Sequence, residues 1–280
     1  MKFSILIAHY NNGKYFKDCY QSILNQKYTR WEAIILDDAS TDDSLELIKE
    51  MVGNDERFRI YHNLKNSGVG VTKSKLIELA EGEYYGFLDP DDAILPTAIS
   101  SCMEVYTKKP DIVLTYSLFL MCDENLSPKK IFNGGKQVVN GSPYFFNSPI
   151  EIAHFVTFKK EIYAQTEKMD TSLKIAEDQD LYLKMYEKGK VCFINEPNYL
   201  YRMHSGGISQ NDNKTKSREY FAKVIFNAMK RRNLKSINGK PIPQEFRSAD
   251  EIYSLLRYQR SFRSKFKRKI AVFIQQILTK

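Results

Sequence analysis

Four short apolar runs separated by helical patterns fill the first third of the chain, and no other feature narrows the fold as far. Residues 3–8, 31–36, 58–62 and 84–88 are rich in Ile, Leu, Phe, Tyr and Trp and have the length of buried strands. Between them, 15–25, 42–51 and 71–80 read as helices. A βαβαβαβ alternation predicts an α/β fold with a mostly parallel central sheet and helices on both faces. A fifth strand is expected at 112–117, after a helix that begins behind Pro96. The middle is less regular. Gly134-Gly135, Gly141-Ser142-Pro143 and Ser148-Pro149 punctuate it, which predicts hairpins and loops. A helix over 177–188, strands over 191–194 and 199–203, and then helices are expected to complete the chain.

The composition suits such a fold. Of 280 residues, 42% are apolar, enough for a full core. Cys19, Cys102, Cys122 and Cys192 are far apart and form no Cys-x-x-Cys pair. That argues against a zinc site or a disulfide framework and fits a cytoplasmic protein. The opening run 3–8 passes directly into polar His9-Tyr10-Asn11-Asn12, so it reads as a strand rather than a signal peptide. The longest apolar stretch, Ile112–Cys122, is about half the length needed to span a bilayer. Neither Gly-x-Gly-x-x-Gly nor a Walker-type loop occurs. A bound nucleotide is therefore not held by either cradle.

The candidate chemistry is carried by acids at strand ends. Phe87-Leu88-Asp89-Pro90-Asp91-Asp92 places three carboxylates within four residues, directly after a strand. Their mutual repulsion is relieved by a hard divalent cation; the alternative is a solvated turn shaped by Pro90. Asp37 and Asp38 end the second strand, where a carboxylate can accept from a nucleotide base or ribose. Asp42 and Asp43 are expected to start a helix, with Ser40 and Asp43 forming a capping box. On the helix from Glu177, Leu181, Tyr182, Met185 and Tyr186 form one stripe with Asp178 in its middle. A carboxylate there is either a general base lining a cleft or a first-turn acid. Asp180 and Lys184 fall on the opposite face and are expected to pair at the surface. Further on, Arg202 is a candidate for holding phosphate, and His204 for holding metal or phosphate.

Taken together these segments resemble the family-2 glycosyltransferases, whose fold is called GT-A. The matching residues run in order: Ser4-Ile5-Leu6-Ile7-Ala8-His9-Tyr10-Asn11, Ser22-Ile23-Leu24-Asn25-Gln26, Leu36-Asp37-Asp38-Ala39-Ser40-Thr41-Asp42, Asn66-Ser67-Gly68 through Lys73, Asp89-Pro90-Asp91, Ala176-Glu177-Asp178, and Tyr201-Arg202-Met203-His204 through Ser209. The chain departs from the family where Ala8-His9 replaces Pro-Thr, and where Lys73-Ser74 replaces Arg-Asn. The resemblance implies inverting transfer of a sugar from a nucleotide diphosphate sugar, with a UDP-sugar as expected donor, to a hydroxyl of a glycan or lipid-linked glycan. It implies Asp178 as general base. It implies Tyr10 and Asp38 on the base, Lys73, Asp89 and Arg202 on the donor, and Mn²⁺ or Mg²⁺ on Asp91 and Asp89 with His204. It further implies a nucleotide-sugar-binding half at 1–100, an acceptor-binding and catalytic half at 101–210, and a helical extension at 211–280. The acceptor surface is expected within 129–170 and the tail, and the product in a bacterial surface glycan. A sugar-nucleotide-binding protein without activity and a sugar nucleotidyltransferase are the alternatives; the second usually carries a Gly-rich, Arg-containing loop where this chain has His9-Tyr10-Asn11-Asn12-Gly13-Lys14.

The net charge of +8 belongs to the tail. After Glu251 there is no acidic residue, and Arg257, Arg260, Arg263, Lys265, Lys267, Arg268, Lys269 and Lys280 follow. Phe262, Phe266, Ile270, Phe273, Ile274 and Ile277 recur at helical spacing among them. The segment 257–278 reads as a basic amphipathic helix. It suits either an anionic membrane surface on the cytoplasmic face or packing against the protein. It carries no nucleic-acid-binding motif, so no nucleic acid partner is expected.

Overall fold

The computed structural model describes residues 1–205 and 214–278. Residues 206–209 of the Tyr-Arg-x-His segment, and Lys280, lie outside the described residues. Strands β1 (Phe3–His9), β2 (Trp31–Asp37), β3 (Phe58–His62) and β4 (Tyr84–Phe87) lie in the order β3-β2-β1-β4, all parallel. Helices α1 (Gly13–Leu24), α2 (Ser44–Val52) and α3 (Val69–Leu79) make the crossovers. Alternate residues of each strand face opposite sides, and both sides are covered, so the strands read as continuous apolar runs. Ile5 and Ile7 of β1 with Ala33 and Ile35 of β2 share one core with Phe16 and Ile23 of α1 and Ile48 of α2. Leu6, Ile34 and Leu36 share the other with Leu76 and Ile77 of α3. Each fully buried aliphatic side chain of this kind contributes roughly 1.5–3 kcal/mol.

Beyond β4 the sheet becomes mixed. β8 (Thr157–Lys159) lies between β4 and β6 (Ile112–Cys122), antiparallel to both. β9 (Lys190–Arg202) runs parallel to β6, and β5 (Ala93–Ile94) closes the edge antiparallel to β9. β7 (Pro128–Ile131) forms a hairpin with β6 that turns at 123–127, ahead of the Gly- and Pro-punctuated stretch, which itself forms loops rather than the expected hairpins. The two strands expected at 191–194 and 199–203 are one strand; a register shift opposite Leu118 absorbs Pro197. α4 (Ala98–Lys108) packs against β6 and β9, and the single turn α5 (Lys160–Tyr163) follows β8.

The C-terminal part packs on α6 (Glu177–Tyr186) through α7 (Lys214–Arg231), which in turn packs on α8 (Ala249–Leu256). This corrects the expected exposure of Asp180. The Asp180–Lys184 pair forms at 2.5 Å, but both side chains are buried, because α7 covers that face and Arg231 reaches Asp180 at 3.1 Å. A short hairpin of β10 (Ser236–Ile237) and β11 (Lys240–Pro241) interrupts the expected run of helices. Its turn, Asn238-Gly239, has φ of 49° and 78°, the left-handed pair of a type I′ turn. α9 (Phe262–Leu278) ends the described chain. The capping box is also absent. Ser40 bonds Asp37 instead, and the helix starts at Ser44, whose N–H donates to Asp42 at 3.1 Å.

Candidate active site

Parallel strands deliver their carboxyl ends to one rim, the place where open α/β sheets bind ligands. Here β1 brings Tyr10, β2 brings Asp37 and Asp38, β3 brings Asn63, and β4 brings Asp89 to Asp92. Tyr10 is half exposed on that rim, at 46%. Asp38 is buried and already occupied: it accepts from Asn63 Nδ2 at 2.7 Å and from the N–H groups of Ser67 and Gly68 at 2.9 and 2.8 Å. It therefore shapes the 63–68 loop ahead of α3. Asp37 is likewise enclosed, bonded to His9 Nδ1 at 2.9 Å and to Ser40 N–H at 2.9 Å. His9, where the family has Thr, thus joins the ends of β1 and β2.

The acidic loop after β4 is held from below by β9. Asp92 is buried and accepts from Tyr199 Oη at 2.8 Å and from Arg202 N–H at 2.7 Å. Burial first, then the charges of Asp89 and Asp91, push its carboxyl well above the usual range. Asp91 points the other way, toward His204, with Oδ2 to Nε2 at 2.7 Å. The His204 ring lies 4.7 Å from that of Tyr15. Asp89 stands on the same loop, within electrostatic reach of Lys73, Asp178 and His154. Among the described residues no set of three His, Cys, Asp or Glu side chains is prearranged around a metal. The donor chemistry nonetheless fits a hard cation: a charge on Asp89 and Asp91 would offset the repulsion that raises Asp92. Such a cation characteristically completes its shell with waters and substrate phosphates.

Arg202 is placed elsewhere than the sequence suggests. Its guanidinium is buried and donates to Asp91 O at 2.6 Å, to Glu124 O, and to Asp18 Oδ2 at 2.8 Å. All three nitrogens are spent on pinning the acidic loop to α1 and the β6–β7 turn. Arg202→Ala leaves two backbone carbonyls without that donor and uncovers the loop. Because the remaining charge, Asp18, is half exposed, the loss comes from the two carbonyls, and unfolding in denaturant should show a stability loss of about 2–4 kcal/mol. Full stability with weakened nucleotide binding would instead return Arg202 to the phosphate role.

Opposite the acidic loop stands the start of α6. Ala176 adopts a left-handed conformation, φ 64°, at the position before the helix. For a residue with a Cβ this costs on the order of 1–2 kcal/mol. Glu177 pairs with Lys73 Nζ of α3 at 2.7 Å, both buried. Burial alone would lower the Lys73 ammonium, but Glu177, Asp89 and Asp178 outweigh it and hold it above its ordinary range. Gly70 makes this approach possible: a Cβ there would lie 2.9 Å from Leu173 O. Asp178 is half-buried. Burial raises its carboxyl and Glu177 adds to the rise; Lys73 pulls back, leaving it at about 6. Its Oδ1 accepts from Gln179 N–H at 2.7 Å, and the Gln179 side chain is held by buried Asn147 at 2.7 Å. A carboxylate kept near neutrality, fixed in orientation and partly open, is equipped to accept a proton.

His154 also lies within the field of Asp89, Asp91 and Lys73, and sequence reasoning missed it. Its ring stacks 4.7 Å from Tyr199 and 5.7 Å from Tyr201. Burial lowers its pKa, against the pull of Asp89. A lone His in the irregular middle of the chain carries no signal of its own.

Comparison with known proteins follows this geometry. The profile described as "Glycosyl transferase family 2" matches residues 4–166. The chain is 30% identical over 245 residues to chondroitin synthase of Escherichia coli, covering 85% of this chain and 34% of that protein. It is 28% identical over 225 residues to glycosyltransferase GlyG of Streptococcus pneumoniae, covering 75% and 73%. S. aureus TarS 1–349, in a crystal structure with UDP-GlcNAc, superposes with a TM-score of 0.69 at 19% identity, covering 94% of this chain and 73% of that one. The chain belongs to glycosyl transferase family 2, and its fold is of the GT-A type. It spans about a third of the E. coli chondroitin synthase and a quarter of its Pasteurella multocida counterpart.

Proposed function

We propose that this protein is an inverting glycosyltransferase that moves a sugar from a UDP-sugar to a hydroxyl of a glycan or lipid-linked glycan in a bacterial surface polymer. The observation that carries this reading is half-buried Asp178, raised to about 6 and grouped with Asp89 of the acidic loop and with the Lys73–Glu177 pair. Asp178 takes the acceptor proton as the hydroxyl attacks the anomeric carbon on the face opposite the leaving diphosphate. Inversion needs this single base. Lys73 and its partner Glu177 set the field in which Asp178 titrates. Tyr10 packs on the nucleobase, while Asp38 holds the adjoining loop and keeps one lone pair of Oδ2 for the base. Asp91 and Asp89, with His204, would hold Mn²⁺ or Mg²⁺, which supplies charge stabilisation to the departing diphosphate. The names of chondroitin synthase and glycosyltransferase GlyG support sugar transfer, and the UDP-GlcNAc in the TarS crystal supports the donor class. We place the work at the cytoplasmic face of the membrane.

The test is product analysis with a panel of UDP-sugars. Release of UDP from a UDP-sugar is expected; pyrophosphate release from UTP and a sugar 1-phosphate instead would make the protein a nucleotidyltransferase, and neither product a non-catalytic binder. The kcat/KM of the transfer should climb with pH and level off above about 6, because only the ionised Asp178 accepts a proton. Glu177 raises that group, so Glu177→Gln should move the acid limb to lower pH. A limb that stays in place would remove Asp178 from the role of base.

A further inference from the structure

Among the described residues α9 is built the wrong way round for a helix that packs on a core. None of its residues from Phe262 to Ile277 is fully buried. The side turned toward the body is largely polar: Gln275 accepts from Asn140 N–H at 2.8 Å and donates to Val138 O, and Arg268 pairs with buried Glu151 at 3.0 Å. At 100° per residue, Arg268 and Gln275 lie nearly opposite the centre of the apolar stripe. That stripe faces outward. Phe262 is 85% exposed, Phe273 63% and Ile277 56%, and Phe266, Ile270 and Ile274 are also exposed. Phe262 and Phe266 stack on each other, 6.3 Å apart, rather than on the protein.

Charge identifies what would cover it. Lys265 and Lys269 flank the stripe on one side, and Arg263 and Lys267 on the other; all four are exposed. Just ahead of the helix, Arg257 and Arg260 line a cleft of about 420 Å³ with Arg218 and Tyr253. Asp250 also lines that cleft and pairs with Arg218 at 2.5 Å, but after Glu251 the chain has no acid to pair locally with the basic residues of α9. A protein partner would need a concave acidic groove with an apolar floor, whereas a bilayer of anionic phospholipids offers both features over any length. We propose that α9 is an interfacial docking helix. It lies in the plane of an anionic phospholipid membrane with its Phe and Ile side chains among the acyl chains, and with phosphate headgroups on its lysines and on Arg257 and Arg260. This inference stands on α9 alone and is independent of the reaction assigned to the cleft.

The test is co-sedimentation of the full chain with vesicles of phosphatidylcholine alone, and with vesicles in which about a third is phosphatidylglycerol. Binding to the anionic vesicles only is expected, and it should weaken as salt rises. Combining Phe262→Ser, Phe266→Ser and Phe273→Ser should weaken binding by more than tenfold. Each of Lys265→Gln, Lys267→Gln and Lys269→Gln should cost roughly fivefold. Because these side chains are exposed, unfolding midpoints should stay unchanged. Equal binding to neutral vesicles, or no binding to either kind, would overturn the proposal. So would a dimer in solution that the Phe substitutions dissociate without any effect on vesicles, since the stripe would then belong to a second copy.

Discussion

Asp178→Asn is expected to abolish sugar transfer while making the protein more stable. The loss should be about 10²–10⁴-fold in kcat, the usual contribution of a positioned general base. The amide oxygen can still accept from Gln179 N–H, so the start of α6 keeps its geometry. UDP affinity should therefore remain within a few-fold. The stability gain follows from linkage. A carboxyl at about 6 in the folded protein and near 3.9 in the unfolded chain binds its proton more tightly when folded. Its ionisation begins to destabilise the fold above pH 4, and the full cost, on the order of 2–3 kcal/mol, is present above pH 6. Removing the charge lifts that cost at pH 7.5 and changes little at pH 4. Denaturant unfolding at the two pH values checks it, beside single-turnover assays and calorimetric titration with UDP. Loss of UDP binding would move Asp178 into the nucleotide site. Unchanged stability at both pH values would show that the carboxylate is not under strain.

Asp91→Ala is the second large effect. The loop itself should survive, since Asp92 and Arg202 anchor it through Tyr199, the backbone of Asp91, and Asp18. The missing carboxylate takes with it one hydrogen-bond partner of His204. We expect the metal-dependent part of UDP binding to disappear and kcat/KM to fall by roughly a hundredfold or more. Titration with UDP, with and without Mn²⁺, compares the variant with the parent directly. Metal-enhanced UDP binding that persists in the variant would show that Asp91 is not a ligand. A drop in unfolding midpoint of the size expected for Arg202→Ala would show that its side chain, too, is structural.

The first half of the fold was legible because its signals are local. Strands β1 and β2 are buried on both faces, and each helix between the first four strands declares its own period. The acidic loop stood out for a similar reason, since three carboxylates in four residues need no distant partner to be noticed. What failed to show was whatever depends on a distant partner. Asp180 and Lys184 read as a surface pair until α7, about fifty residues later, covers them. Arg202 looked free for phosphate because Asp18, 184 residues away, is invisible to any window. β8 is three residues long, too short to show alternation, and His154 gains its meaning only when Tyr199 and Tyr201 stack beside it. The β10–β11 hairpin is different. Asn238-Gly239 is a strong local turn signal, but the strands it joins are two residues each and show no alternation.

The pinning of the acidic loop by β9 has a consequence for how the chain is made. Residues 89–92 leave the ribosome about 110 residues before Tyr199 and Arg202, the groups that seat them. At ordinary rates of translation that interval is on the order of ten seconds. Throughout it the first four strands can assemble, yet the acids lack their anchors and Asp92 has nothing to bury it. The acidic loop can therefore be seated only once β9 has paired with β6. Ending the chain between Asp92 and Tyr199 would leave the four parallel strands with their acidic loop unseated.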